Sequence, residues 1–464
     1  MGFDYHLYVT DLLLFLVAAA AAWSLRGAWQ DPRWRETLRS ILADRRAAWG
    51  LVVLAPYVAV ALVDSVHFSP QVGERDGEPV YSTASLSLLD VALSPLRESR
   101  ESTYSAPLAV RSFAKESIEG EGGVSVKGYP RLEHAGSHLE DETGHAADVL
   151  LRALAGAALA GALWLALAAA IAGRRRGPAG VAAALGGILR APSPLRTALL
   201  TALGLLLPAG AVVALAPHYH VLGTDKVGQD ILYLTLKNFR TGIAIGLLTT
   251  IAMLPLAIIL GIAAGYFRGK VDDVIQYVYI TLNSIPGVLL IAAAILTLTI
   301  FFDSHPDLFE SNERRSDLRL LCLCLILGLT SWTGLCRLLR AETLKVSEME
   351  YVQAAHALGV SPPAVIGRHI FPNVAHLVLI ATVMDFSGLV LAEAVLSYIG
   401  IGVDPTSNSF GLMINAARQE LSRSPVVWWP LASAFVFMSL LVLAVNFVAD
   451  AVRDTLDPRL VRAV

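Results

Sequence analysis

The chain has 464 residues, 55% of them apolar and only 16% charged, whereas a water-soluble domain carries about a quarter charged residues. A formal net charge of −3 supplies no global basic field, which argues against nucleic acid as a partner. Three cysteines, Cys322, Cys324 and Cys336, are too few for a disulfide scaffold. Cys322 and Cys324 lie about 200° apart around a helix axis, so they do not face one metal and read as small buried residues with free thiols.

The apolar residues gather into blocks of about 17 to 27 residues, the length that crosses a hydrocarbon core about 30 Å thick. In lipid only helices and closed barrels satisfy every backbone group, and these blocks lack the alternation of barrel strands. The predicted fold is therefore all-α, a polytopic membrane helical bundle. Its spans lie near residues 7–25, 49–65, 149–172, 195–216, 241–265, 277–301, 318–336, 376–398 and 427–448. The first is not read as a signal peptide, because Arg26, Arg33, Arg35 and Arg39 follow it and do not precede it.

The positive-inside rule places Arg26 to Arg46 and the run Arg174, Arg175, Arg176 and Arg190 on the cytoplasmic side. Two spans separate these clusters, so the parity agrees. Residues 66–147 then lie outside as a polar, acidic excursion with weak strand signals such as Val124 to Val126. The excursion ends in Glu133, His134, His138, Glu140, Asp141, Glu142, His145 and Asp148. His134 and His138 have the i, i+4 spacing of a helical zinc or nickel site. Histidines are common in solvated acidic loops, however, and Gly136 and Gly144 weaken the helix, so no metal is assigned.

Continuing the count puts residues 217–240 and 302–317 outside and the loop 337–373 inside, where Arg337, Arg340, Lys345 and Arg368 suit a cytoplasmic position. The loop contains Glu350, Gln353, Ala354, Ala355 and Gly359, then a second helical stretch that ends at His369, Ile370, Phe371 and Pro372. Small residues, a glycine turn and a terminal proline describe two short helices forming a docking knob: alanines permit close approach, and glycine permits positive φ.

This loop resembles the EAA loop of ABC importer permeases, whose pattern is Glu-Ala-Ala, three residues, Gly, nine residues, then Ile-x-Leu-Pro. Gln353, Ala354, Ala355, Gly359 and Pro372 fall in its register. Gln353 replaces the family glutamate, keeping the length and an amide, while His369 and Phe371 replace isoleucine and leucine. His369 suits the peptide-importer branch. Leu222, Gly223, Thr224, Asp225, Gly228 and Asp230 are similar to that branch's Leu-Gly-Thr-Asp-x-x-Gly-Arg-Asp signature, with Gln229 for arginine. Ala264 to Asp272, Leu391 to Val403, and a terminal segment with Asp457, Pro458 and Arg459 resemble further blocks of it.

The resemblance covers about residues 195–460, and the chain divides into an N-terminal extension, 1–190, with about three spans, and a six-helix type I permease core, 191–464. It implies a second homologous permease, two cytoplasmic ATPases carrying ATP and Mg, an external solute-binding protein, surrounding lipid, and a place in the bacterial inner membrane. Because the extension departs from the family, its removal is expected to leave the core able to assemble with the ATPases. Gly223, Thr224, Asp225 and Asp230 read first as a turn and helix cap, and second as a contact for the binding protein or solute. Glu393, in an apolar helix, either lines the pathway or fixes packing; Pro286 is either a kink shaping the path or a tolerated break.

No Gly-x-x-x-x-Gly-Lys-Ser/Thr loop is present; Gly265 to Lys270 is one residue short. His-Glu-x-x-His and Gly-x-Ser-x-Gly are also absent, so the chain is not read as an enzyme and ATP hydrolysis is assigned to partner chains. The alternative is a secondary transporter or channel with no ATPase, which would call for an intramembrane ion relay or an internal repeat.

Overall fold

The computed structural model describes residues 3–75, 78–82, 85–119, 125–176, 186–188, 190–306, 309 and 311–456. In chain order the elements are β1 (Phe3–His6), α1 (Val9–Gln30), α2 (Pro32–Ala43), α3 (Arg45–Asp64), β2 (His67–Arg75), β3 (Glu78–Tyr81), β4 (Leu86–Ser87), α4 (Leu88–Ala92), α5 (Ser94–Glu98), β5 (Glu116–Glu119), β6 (Ser125–Gly128), α6 (His145–Arg176) and α7 (Pro194–Leu215). They continue with α8 (Ile231–Phe267), α9 (Gly269–Ser284), α10 (Gly287–Ser304), α11 (Asn312–Ser331), α12 (Thr333–Ser347), α13 (Glu350–Ala357), α14 (Pro362–Val365), α15 (Phe371–Ile399), α16 (Phe410–Glu420) and α17 (Trp429–Leu456).

Among the described residues eight helices are long and apolar enough to cross a membrane, and a ninth span results if α11 and α12, bent by 41° about Trp332, are taken together. The helix starts follow capping chemistry: Ser193, Ser311 and Ser409 each accept a backbone N–H from the first turn of α7, α11 and α16, satisfying a donor that would otherwise have no partner. Gly400, at φ +86°, closes α15.

The sixth predicted span is not one helix. Pro286 lies at the N-cap of α10, after Ile285 in extended conformation at φ −94°, ψ 131°, the geometry that a following proline imposes. It is thus a break between α9 and α10 and not a kink within a helix. The excursion is more structured than its weak strand signals suggest. β2 pairs antiparallel with β1, β3 and β4, and β5 pairs with β6. Val124, and the terminal Asp457, Pro458 and Arg459, lie outside the described residues.

The chain forms two compact units, the first of residues 1–6, 38–241 and 408–447, the second of residues 7–37, 242–407 and 448–464. In the first, α6 and α7 meet so closely that a Cβ on Gly156 would collide with the Gly210 carbonyl oxygen, the backbone approach that small residues permit between membrane helices. Tyr57 of α3 stacks on Phe239 with ring centroids 4.0 Å apart and donates its hydroxyl to the Phe437 carbonyl at 2.8 Å.

In the second unit, one apolar cluster runs from Met253, Ala257 and Ala264 of α8 through Leu335 and Leu339 of α12 to Val352, Val365, Ile370 and Val374. Gly261 and Gly265 let α8 approach the Cys336 and Arg340 carbonyls; a Cβ there would lie 2.8 and 2.7 Å from those oxygens. Asp317 of α11 accepts from the Thr10 backbone N–H at 3.2 Å and from its hydroxyl, which ties α1 to α11. Cys324 and Cys336 are buried, and all three thiols are free.

Candidate functional site

The expected loop 337–373 is shorter than its sequence suggested: residues 337–347 belong to α12, and only the stretch from Glu350 onward folds as two short helices, α13 and α14, joined by a tight turn. α13 ends in a Schellman motif: the N–H of Gly359 reaches the His356 carbonyl at 2.9 Å, and that of Val360 reaches Ala355 at 3.1 Å. Gly359 has φ +76°, and a Cβ built there meets nothing within 4 Å. The glycine is therefore required by backbone conformation and not by crowding within the chain. Pro362 starts α14 as an N-terminal proline should. A π-helical turn, Ile366–Ile370, then leads into α15, near whose start Pro372 sits, and Asn373 Nδ2 donates to the His369 carbonyl at 2.6 Å.

The two faces of the knob differ. Val352, Ala355, Val365 and Ile370 are buried in the apolar cluster with Leu339, Val346 and Val374. Glu350, Gln353, Ala354, His356, Gly359 and Pro372 are exposed. Ala355 and Ile370 thus serve the chain's own packing, and of the two motif alanines only Ala354 faces outward. Leu358, beside the glycine turn, is 83% exposed.

Gln353 Nε2 donates to the backbone and side-chain oxygens of Glu348, both at 3.3 Å. Glu348 in turn pairs with Arg268, which also donates to Ser347 Oγ at 2.9 Å. Next to this, Arg340 grips Asp272 bidentately, Nε at 2.5 Å and Nη2 at 2.6 Å. The turn between α8 and α9 is thereby joined to the base of the knob.

In the first unit, the turn 222–230 is enclosed. Thr224 Oγ1 donates to the Thr103 carbonyl at 3.0 Å and accepts from the Ser105 N–H at 2.6 Å. The Thr224 carbonyl takes Trp429 Nε1–H at 2.9 Å. Asp225 Oδ1 accepts the N–H groups of Val227 at 3.0 Å and Gln229 at 2.8 Å, and Asp230 Oδ1 accepts those of Leu232 at 2.7 Å and Tyr233 at 3.3 Å, capping α8. Gly223 and Gly228, at φ +77° and +73°, pack against Ser105 and Glu101. Thr224 and Asp230 are fully buried, as suits a turn and helix cap.

Asp230 Oδ2 lies 2.7 Å from His220 Nδ1, and His220 Nε2 lies 3.3 Å from Glu101 Oε1. Burial opposes the His220 charge, but the hydrogen bonds it donates to Asp230 and Glu101 push its pKa up to about 9. Burial likewise opposes the Glu101 charge, and hydrogen bonds from His220 and the amides of residues 133–135 hold it down at about 2.

Glu393 is buried on α15 and accepts Ser397 Oγ–H at 2.6 Å. Pro286 is exposed at the α9–α10 break. His138 Nε2 is 2.9 Å from Asp148, and His134 Nδ1 is 3.9 Å from Glu101. The His145 ring sits beside Tyr219 at 5.4 Å. Among the described residues no group of three or more His, Cys, Asp or Glu is arranged to hold a metal.

Residues 257–462 match the family described as binding-protein-dependent transport system inner membrane component. The chain is 30% identical to the oligopeptide transport system permease protein OppC of Haemophilus influenzae over 241 residues, 52% of this chain and 71% of that protein. It is also 30% identical to OppC of Mycobacterium tuberculosis over 239 residues, 52% of this chain and 76% of that one. The chain belongs to this family of transport permeases. A further relative is the dipeptide transport system permease protein DppC of Lactococcus lactis, 29% identical over 240 residues, 52% of this chain and 64% of that protein.

Sequence reasoning about the permease missed three things. Leu358 follows the last turn of α13, where an apolar residue carries no periodic signal. Glu101 lies in a stretch with no helix or strand pattern. Lys237 falls in the stretch 217–240 expected outside the spans, but the helix α8 starts at Ile231 and carries it. It lies 2.7 Å from Asp64 and 3.0 Å from Asp90.

Proposed function

We propose that this permease forms the translocation path of an ATP-driven importer in a bacterial inner membrane, with peptides as the solute class. The knob 337–373 is the part on which two cytoplasmic ATPases, carrying ATP and Mg, act. A second homologous permease completes the path, an extracytoplasmic binding protein delivers the solute, and lipid covers the outward apolar faces. Peptide as the solute class rests on relatives that are oligopeptide and dipeptide permeases.

The observation that carries the coupling role is the continuity of one apolar cluster from α8 and α12 into both helices of the knob. Close-packed cores transmit displacement instead of absorbing it. A push on the exposed face at Gln353, Ala354 and Leu358 is therefore delivered to the membrane helices. ATP binding biases inward- and outward-facing states only through contacts that differ between them, and this face supplies such contacts. An exposed apolar side chain beside a tight turn suits a pocket on a partner.

The test is Leu358→Glu. The variant inserts normally, since no span is touched, and copurification of the ATPases falls at least tenfold, about 1.4 kcal/mol. Wild-type copurification would remove the ATPase role from this face and favour a secondary transporter or channel.

A further inference from the structure

Departure from the family predicts an extension separable from the core, but its contacts within the first unit are those of an integral part. We infer that the excursion is a fixed brace on the permease's external turn 220–230, and that Glu101 is the residue that positions this turn and, through it, the first turn of α8. The inference rests on the permease reading only for the importance of the turn.

Glu101 is buried, and its carboxylate accepts the N–H groups of Glu133 at 2.9 Å, His134 at 3.0 Å and Ala135 at 3.1 Å. One side chain thus closes the excursion's own loop and meets His220. Carboxylates only accept, so His220, with one at each ring nitrogen, must carry both protons. The result is a buried imidazolium clamped between the excursion and the N-cap of α8.

Backbone pairing reinforces the clamp. Glu101 N–H donates to the Gly228 carbonyl at 3.0 Å, Leu108 to His220 at 2.9 Å, Thr224 to Ser105 at 3.1 Å and Gly136 to His218 at 2.9 Å. A lid that opened would strip all four from partners that water must then replace.

Two further ties fix the same end of the unit. Lys237 bridges Asp64 at the end of α3 and Asp90 of α4, and Tyr233 donates its hydroxyl to Asp90 at 2.7 Å. Asp230, Tyr233 and Lys237 follow the three- and four-residue spacing of one helix face. Trp429, the first residue of α17, packs its ring against Phe113 at 4.8 Å while bonding Thr224.

The groups facing His220 are Asp230 from the start of α8 and Glu101 from the excursion, with His134 3.9 Å from the same Glu101 carboxylate. Because its pKa is raised, the His220 contribution is whole below about 6.5 and is lost as pH rises through about 9. Because its pKa is lowered, the Glu101 contribution is whole above 4.5 and is lost as pH falls through about 2.

The experiment is hydrogen exchange by mass spectrometry on the full-length chain in nanodiscs, comparing segments 131–136 and 220–232 across pH, corrected for intrinsic exchange. In the wild type both segments are protected at pH 7.5 and lose protection together toward pH 9. Glu101→Gln, which keeps shape and removes charge, speeds exchange in both segments at least tenfold and moves the loss to lower pH by about one unit, a tenfold change in proton affinity. Glu101→Asp restores part of the protection. Faster exchange in 131–136 with 220–232 and its pH profile unchanged would overturn the brace. So would a wild-type turn that exchanges freely. The readout is exchange and not uptake, so failure of the brace and failure of the transport role are distinguishable.

Discussion

Gly359 and Leu358 share one turn but have different tasks. The Schellman geometry requires positive φ at Gly359, and a β-branched residue there costs on the order of 1–3 kcal/mol of backbone strain. Open space around the position means that its neighbours add no further cost. Gly359→Val is therefore expected to distort the turn and lower ATP-dependent uptake by at least tenfold, while Gly359→Asn, tolerant of the left-handed region, retains most of it. Uptake assays at matched expression check this. The glycine was legible because its spacing from Gln353, Ala354 and Ala355 matches a motif. Leu358 was not, because its role depends on which side of the turn faces outward.

For whole elements, sequence periodicity located the membrane helices well, since an apolar run of sufficient length has few other solutions. It misjudged the stretch near Pro286, where length alone suggested one span and the proline's effect on Ile285 made two helices. The two motif alanines looked equivalent in sequence because adjacent residues on a short helix cannot be assigned to faces without their neighbours. Ala355 packs against the cluster and Ala354 does not. Ala355→Glu should therefore unfold the knob itself, since an unpaired buried charge costs several kcal/mol, whereas Ala354→Glu should leave it folded and weaken ATPase docking. Limited proteolysis between 350 and 370 separates the outcomes: rapid cleavage for Ala355→Glu, wild-type resistance for Ala354→Glu. The Arg340–Asp272 pair joins α12 to α9 at the base of the knob.

Across the whole molecule, the positive-inside rule leads us to expect the arginines of residues 26–46 and 174–190 inside and the excursion outside. Cysteines placed at Ser85 and Ser137 are expected to react with a membrane-impermeant thiol reagent from outside, and one at Ser361 is not; external labelling at Ser361 alone would invert the topology. The permease family was legible from motifs in order along the chain. The extension was not, because Glu101, His220 and Asp230 are brought together only by folding. The claim on which the functional account rests is that the knob couples ATP to movement of the membrane helices. ATP-driven peptide uptake by proteoliposomes holding the complete assembly, wild type against Leu358→Glu, tests it most directly. Uptake is expected to fall at least tenfold while the variant's insertion and folding are unchanged; uptake at the wild-type rate would rule out coupling through the knob.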